Sequence, residues 1–110
     1  MSVVSIYAIF ASAEEAERIG RTVVEERLAA CINILAQCRS ISRWQGKIEE
    51  AEEVPAILKT SDVRADQLIA RIAELHSYGV PAITVWPVHK LLADYGDWVE
   101  TETGDGPRDT

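Results

Sequence analysis

Residues 31–60 read CINILAQCRSISRWQGKIEEAEEVPAILKT, and this stretch decides the fold. Apolar and β-branched residues alternate with polar ones on both sides of its middle, which predicts one strand over about 31–44 and a return strand over about 48–60. Gln45-Gly46-Lys47 lies between the two strands. Because glycine adopts a positive φ without steric cost, this tripeptide predicts the turn of a long hairpin.

Residues 31–60 also predict irregular strands and two unpaired cysteines. The first strand is expected to bend near Gln37 and Cys38, and Pro55 predicts a bulge or break in the return strand because proline cannot donate to a ladder. Cys31 and Cys38 are seven residues apart, or about 23 Å in an extended chain. A disulfide needs α-carbons within about 7 Å, so both cysteines are expected to be free thiols in a reducing compartment.

The segments that flank the hairpin complete a regular order of elements. Ser12 and Glu15 form a capping-box pattern, in which the glutamate side chain is expected to reach back to the serine N–H at the start of a helix. The other expected elements are a strand over about 4–10, a helix from Ser61 or Asp62 to before Gly79, a strand over about 83–86 and a short helix over about 91–101.

This order predicts an α+β fold. Strand, helix, strand, strand, helix, strand is the order of a ferredoxin-like βαββαβ sandwich, here with a long hairpin between its second and third strands and a short C-terminal helix. Residues 1–102 are expected to form a single domain and residues 103–110 a flexible tail, since the tail has no large apolar side chain. Two helices cover one face of such a sheet and leave the other face uncovered. Because an exposed apolar sheet face is too large a patch for a soluble monomer, self-association is expected.

The composition bounds the class of protein. The chain of 110 residues is long enough for one core, and its formal net charge of -7 disfavours nucleic acid as a partner, because an anionic surface repels phosphates. The N-terminal residues lack a basic region and a long apolar run, so neither an export signal nor a membrane span is expected. These observations predict a cytoplasmic protein.

Three motifs in order carry a resemblance to a known family. Ala30-Cys31-Ile32-Asn33, Trp44-Gln45-Gly46-Lys47-Ile48 and His76-Ser77-Tyr78-Gly79-Val80-Pro81 resemble the divalent-cation-tolerance (CutA) proteins over about residues 3–98. The resemblance implies a tight homotrimer and a role in tolerance of divalent metals such as copper.

The side chains available for chemistry favour binding over catalysis. Cys31, which matches the cysteine of the family, and His76 are the candidate metal ligands, since thiolate and imidazole are soft or borderline donors. Trp44, Lys59, Tyr78 and Glu50 are the candidates for a ligand cleft. No phosphate loop is present and no nucleophile has an evident orienting partner, so an enzyme is not expected.

The glutamates after the turn form an acidic run whose members cannot all act together. Because alternate residues of a strand point to opposite faces, only Glu50 with Glu52, or Glu49 with Glu53, can share a side. Hard carboxylate oxygens suit magnesium or calcium better than copper.

Two functional hypotheses remain open. The first is a trimeric binding protein in which Cys31, His76 or the glutamates near Glu50 approach a metal. The second is a signalling module that resembles the PII nitrogen-regulatory proteins and binds a small anionic effector between subunits, for which Lys59 or a helix N-terminus would face the cleft.

Overall fold

The structure of the protein is a computed structural model that describes residues 2–104. In chain order the elements are β1 Val3–Phe10, α1 Ala13–Glu25, β2 Cys31–Ile34, β3 Cys38–Trp44, β4 Lys47–Ser61, a 3₁₀ turn Asp62–Arg64, α2 Ala65–Leu75, β5 Ile83–Pro87 and α3 Ala93–Glu102. Within this described part, no helix combines the length and the apolar content needed to cross a membrane.

The sheet is built around β4, which is 15 residues long and pairs on both edges. Its second half pairs with β1 on one side and with β2 on the other, while its first half pairs with β3; β5 adds to the free edge of β1. Every pairing is antiparallel, so the predicted α+β sandwich with its long hairpin is confirmed. The predicted second strand is divided into β2 and β3, with the bend at residues 35–37.

The predicted break at Pro55 is wrong, because β4 continues through this residue. Pro55 pairs with Ile9 in an unbroken register with β1. The Ile9 N–H donates to the Ala82 carbonyl on the far side of β1, and the Pro55 carbonyl accepts from Leu35, so the nitrogen of Pro55 faces the link between β2 and β3. The ladder between β1 and β4 therefore requires no N–H from Pro55, and the strand continues.

A two-residue turn closes the hairpin. Trp44 pairs directly with Lys47, so only Gln45 and Gly46 form the loop. Their φ angles are 51° and 80°, and two successive positive values define the type I′ geometry that matches the twist of a hairpin. Gly46 has the predicted positive φ, whereas Gln45 adopts the same region without glycine's freedom.

The main core lies between one face of the sheet and helices α1 and α2. Alternate residues of β1 and β4 meet the apolar stripes of the two helices, and they form one cluster that is almost fully buried: Val4, Ile6, Ala8, Phe10, Ala16, Ile19, Val23, Ala56, Leu58, Leu68 and Ile72. Ser12 caps α1 by accepting from the Glu15 N–H, as predicted. The Glu15 side chain, however, accepts from the Ala11 N–H, one residue before the serine.

Helix α3 covers only one end of the opposite sheet face. Val99 packs there against Val3 and Ala30 in a second small cluster. Thr103, the first residue of the predicted tail, is fully buried, and its Oγ1 lies 2.8 Å from the Val99 carbonyl, so it belongs to the packed domain. Residues 105–110 of the predicted tail lie outside the described residues.

Replacing Gln45 by asparagine is expected to stabilise the hairpin, because asparagine tolerates a positive φ at the first position of a type I′ turn. We expect the free energy of unfolding to rise by about 0.5 kcal/mol. Urea denaturation measures the change. The matched control is Gln37→Asn, since Gln37 is exposed and its φ is not positive. An equal effect of both substitutions would contradict the turn geometry.

Candidate functional site

The alternation of β4 sorts the candidate residues onto two faces of the sheet. Leu58 and its even-numbered neighbours point to the helices, so Lys59, Glu53 and Glu49 point to the opposite face, whereas Glu50 points to the helix side. Glu50 lies on the projecting hairpin, which the helices do not cover, so its side chain is exposed beside its cross-strand partner Ile41 of β3. The odd-numbered face therefore carries the side chains that can form sites.

Cys31 and Lys59 lie side by side on that face. They are direct cross-strand partners, and Ser5 follows as the next residue across the sheet. The Cys31 thiol is half-buried, with its Sγ 3.7 Å from the Tyr95 hydroxyl of α3. Burial and this contact with Cys31 raise the pKa of Tyr95 to about 12, so the phenol stays protonated beside the thiol.

His76 lies in a different place and uses both ring nitrogens. Its Nδ1 accepts from the Tyr78 N–H at 3.0 Å, so Nε2 carries the proton that it donates to the Ile9 carbonyl at 2.7 Å. The ring is buried and stacks on Phe10 with centroids 5.3 Å apart. Ile9 pairs with Pro55, four residues along β4 from the partner of Cys31, so the two predicted metal ligands are not neighbours within one chain.

A buried carboxylate fixes the segment that follows His76. Glu15 accepts from the Ser77 N–H at 2.8 Å and from the Ala11 N–H at 2.9 Å. Burial raises the pKa of Glu15, but the hydrogen bonds from Ser77 and Ala11 outweigh it, and the pKa is lowered from its ordinary value of 4.5. The N-terminus of α1 thus holds residues 76–78 through one ionised side chain.

Tyr78 is the residue that this anchoring positions. Its hydroxyl donates to Glu53 Oε2 at 2.7 Å, and this hydrogen bond, with burial as a smaller cause, raises the pKa of Tyr78 to about 12. The pair stands at one side of a groove of about 590 Å³ between the hairpin and residues 78–82. The groove is lined by Ile9, Ser40, Ser42, Trp44, Glu49, Ala51, Glu53, Tyr78, Gly79, Val80 and Ala82.

Only two of the predicted cleft residues come together in this groove. Trp44 and Tyr78 both line it, whereas Glu50 lies on the other face of the hairpin and Lys59 lies beside Cys31. Glu53 and Glu49 were considered as members of the acidic run that share a side, but not as cleft residues. No motif in the sequence indicated the contact between Tyr95 and Cys31, since it joins residues 64 positions apart.

The arrangement within one chain offers polar and aromatic contacts rather than a complete metal centre. Across residues 2–104, no group of three or more His, Cys, Asp or Glu side chains is placed to hold a metal ion. Both cysteines are free, as predicted. A metal at Cys31 would therefore need ligands from outside this described part.

Comparison with known families gives a consistent match over most of the chain. The family model for the CutA1 divalent ion tolerance protein matches residues 4–102. The divalent-cation tolerance protein CutA of Pyrococcus horikoshii is 45% identical over 98 residues, which are 89% of this chain and 95% of that protein. The CutA of Thermus thermophilus is 41% identical over 93 residues, 84% of this chain and 90% of that protein.

Solved structures share the fold as well as the sequence. The crystal structure of CutA from Xylella fastidiosa superposes with a TM-score of 0.91 at 36% identity, covering 94% of this chain and 100% of that one. CutA from Archaeoglobus fulgidus, described as a periplasmic divalent cation tolerance protein, gives a TM-score of 0.90 at 35% identity, covering 93% and 99%.

Replacing Glu15 by glutamine is expected to lower the free energy of unfolding by about 2 kcal/mol near neutral pH, because an amide satisfies the Ala11 and Ser77 donors less well than a carboxylate. The folded-state pKa is the lower one, so the contribution of Glu15 is present above its unfolded pKa and is lost as the pH falls through the folded value.

Urea denaturation at about pH 7 and about pH 3 checks both parts of this prediction. The difference between wild type and Glu15→Gln should shrink at the acidic pH. Glu14→Gln is the matched control, since Glu14 lies exposed in the same first turn of α1. A loss that is the same at both pH values would contradict the role of the ionised carboxylate.

Proposed function

Because the chain belongs to the CutA1 divalent ion tolerance family, we propose that it is a cytoplasmic, homotrimeric binding protein, not an enzyme, and that it takes part in tolerance of copper. The observation that carries the metal-binding part is the half-buried thiol of Cys31 on the sheet face that α1 and α2 leave open.

Assembly is supported by apolar surface that a single copy leaves exposed. Trp86 stacks on Tyr7 on the open sheet face and is 46% exposed, and the hairpin exposes 61% of Ile41 and 59% of Ile48. Exposed large apolar side chains on a sheet face and on a projecting arm favour burial against another copy. The resemblance to the CutA proteins favours three copies, and a closed ring of identical subunits satisfies every such surface at once.

The ligand type follows from the chemistry of the thiol. A thiolate is a soft donor that favours Cu(I), whereas the glutamates of the hairpin are hard donors suited to magnesium or calcium. Cys31 lies on a strand at a face that another subunit would cover. Cys38 lies on β3 with its Sγ 3.7 Å from the Ser40 hydroxyl, beside the acidic groove.

A copper site at Cys31 requires a second donor from another subunit. His76 has both nitrogens engaged, to the Ile9 carbonyl and the Tyr78 amide. We therefore propose that the thiol of a second Cys31, not His76 of the same chain, completes the site. This arrangement ties copper affinity to assembly.

The alternative function is a PII-like module that binds a small anionic effector between subunits. One observation favours it: Lys59 is half-buried beside Cys31, and among residues 2–104 no carboxylate forms an ion pair with it. A cation on a partly covered sheet face needs an anion or water. An effector phosphate or carboxylate would supply that anion.

We expect copper to bind the wild-type protein and the affinity to fall at least about tenfold in Cys31→Ser, since the soft ligand is lost. Cys38→Ser is the matched control and should bind as the wild type does. The measurement is an anaerobic titration with Cu(I) against a competing chelator, with the oligomeric mass of each variant determined in parallel.

Tight copper binding that survives Cys31→Ser would contradict the thiolate site. If neither protein binds copper, the metal proposal fails. Nucleotide binding that is lost in Lys59→Met, titrated in the same buffer, would then support the anionic-effector alternative.

A further inference from the structure

His76 is a buried ring whose two nitrogens are used in opposite senses. The side chain is 8% exposed, and the ring stacks on Phe10 with centroids 5.3 Å apart. Nε2 donates to the Ile9 carbonyl at 2.7 Å, whereas Nδ1 accepts from the Tyr78 N–H at 3.0 Å. One nitrogen must therefore carry a hydrogen and the other must not.

Only one of the three protonation forms of imidazole satisfies both contacts. The neutral form with its hydrogen on Nδ1 places two donors together at Tyr78 and two acceptors together at Ile9. The doubly protonated form keeps the bond to Ile9 but sets an Nδ1–H against the Tyr78 N–H. A proton added to the ring therefore removes the contact with Tyr78 and spares the contact with Ile9.

The contact with Tyr78 is a turn that ends helix α2. His76 is the first residue after the helix, with an extended backbone at φ −74° and ψ 146°. Its Nδ1 binds the N–H two residues later, which is the pattern of an Asx turn made here by a histidine. Without that acceptor, the turn loses the side-chain bond that sets the position of Tyr78.

Charged groups of α1 face the same segment. Burial raises the pKa of Glu15, the hydrogen bonds from Ser77 and Ala11 lower it, and the charge of His76 lowers it further, so the carboxylate and the ring interact electrostatically. Arg18, one turn into the helix, lies 3.8 Å from the Glu15 carboxylate. A proton on the ring therefore has an anion for a neighbour.

The other elements packed around the ring bring charges that are already engaged. Glu74 of α2 pairs with Arg71 at 2.9 Å, and Glu53 of β4 accepts from the Tyr78 hydroxyl at 2.7 Å. From β1, the ring meets a backbone carbonyl and the side chain of Phe10, neither of which titrates. Glu15 is thus the anionic partner that a charged ring would use.

Protonation of the ring therefore alters one local contact and leaves no unpaired buried charge. A buried cation is costly unless an anion faces it, and Glu15 meets that need. A carboxylate has about four lone-pair positions, and the N–H groups of Ala11 and Ser77 occupy one each, so another donor can be accepted. Because the pKa of Glu15 is lowered from 4.5, this carboxylate stays ionised in mild acid and continues to hold Ser77.

We propose that His76 is a pH-sensitive switch that holds Tyr78 when the ring is neutral and releases it when the ring is protonated. Release of the Tyr78 N–H also frees the hydroxyl that bonds Glu53, so mild acid removes a connection between the hairpin and the segment after α2. The switch lies inside the domain. It needs no exposed surface, and it does not depend on copper binding at Cys31.

The test is amide hydrogen exchange, measured for single residues by NMR on the protein in its native oligomeric state at about pH 7.5 and about pH 5.5. We expect the protection factor of the Tyr78 amide, corrected for the intrinsic pH dependence of exchange, to fall at least about tenfold at the lower pH. The Ser77 amide should keep its protection at both pH values, since Glu15 remains ionised.

Matched variants assign the response to one ring. His76→Asn keeps an acceptor for the N–H two residues later and does not titrate, so the Tyr78 amide should be equally protected at both pH values. His89→Asn removes the other histidine of the chain, which is exposed, and should respond as the wild type does.

The effect on the hairpin is measured at Glu53. Its carboxyl carbon, followed by ¹³C NMR, should shift with the same midpoint as the Tyr78 amide in the wild type, because the hydroxyl leaves it when the switch opens. In His76→Asn this component of the shift should be absent. A shift that is the same in both proteins would contradict the connection from the ring to the hairpin.

Equal protection of Tyr78 at both pH values in the wild type would overturn the proposal. A loss shared by Ser77 and by core amides such as that of Ile6 would also overturn it, since this indicates general unfolding. The same holds for a response that persists in His76→Asn or vanishes in His89→Asn. The comparison of Ser77 with Tyr78 uses the wild type alone, so it decides the matter even if His76→Asn does not fold.

Discussion

The constraint on which the rest of the structure depends is the length and continuity of β4. Its 15 residues are shared between the compact sheet and the projecting hairpin, so one two-residue alternation extends through both. The even side builds the core as far as Val54 and is then exposed, whereas the odd side carries Lys59, Glu53 and Glu49 in one row. A bulge at Pro55 would have exchanged the two sides and separated the glutamates from the groove.

This continuity separates two kinds of chemistry along one face. In the half of β4 that pairs with β1 and β2, a thiol and an amine lie side by side at Cys31 and Lys59, and Tyr95 of α3 contacts the thiol. Farther along the hairpin, carboxylates and aromatic rings line the groove. Two hydrogen bonds attach this second region to the core. The Ser77 amide donates to Glu15 of α1, and the Tyr78 hydroxyl donates to Glu53 of the hairpin. One wall of the groove is therefore fixed although the hairpin is exposed.

The sequence predicts the fold better than it predicts the sites, for physical reasons. Alternation, a capping serine and a glycine turn are local signals, and each element they indicate is present. Whether Pro55 interrupts its strand depends on which neighbouring strand its nitrogen faces. That could not be predicted without the register with β1 and the gap between β2 and β3. Cys31 and His76 are both metal-binding residue types, but the register of β4 with its neighbouring strands sets the distance between them. The hydrogen bond of His76 to the Ile9 carbonyl joins two residues that no sequence motif connects.

The claim that other copies cover the open sheet face and the hairpin is central to the proposed function, since the metal proposal takes its second ligand from another subunit. Sedimentation equilibrium over a range of micromolar concentrations tests it most directly. We predict one species with the mass of three chains of 12.2 kDa each. A mass of 12.2 kDa, unchanged across the concentration range, would contradict it.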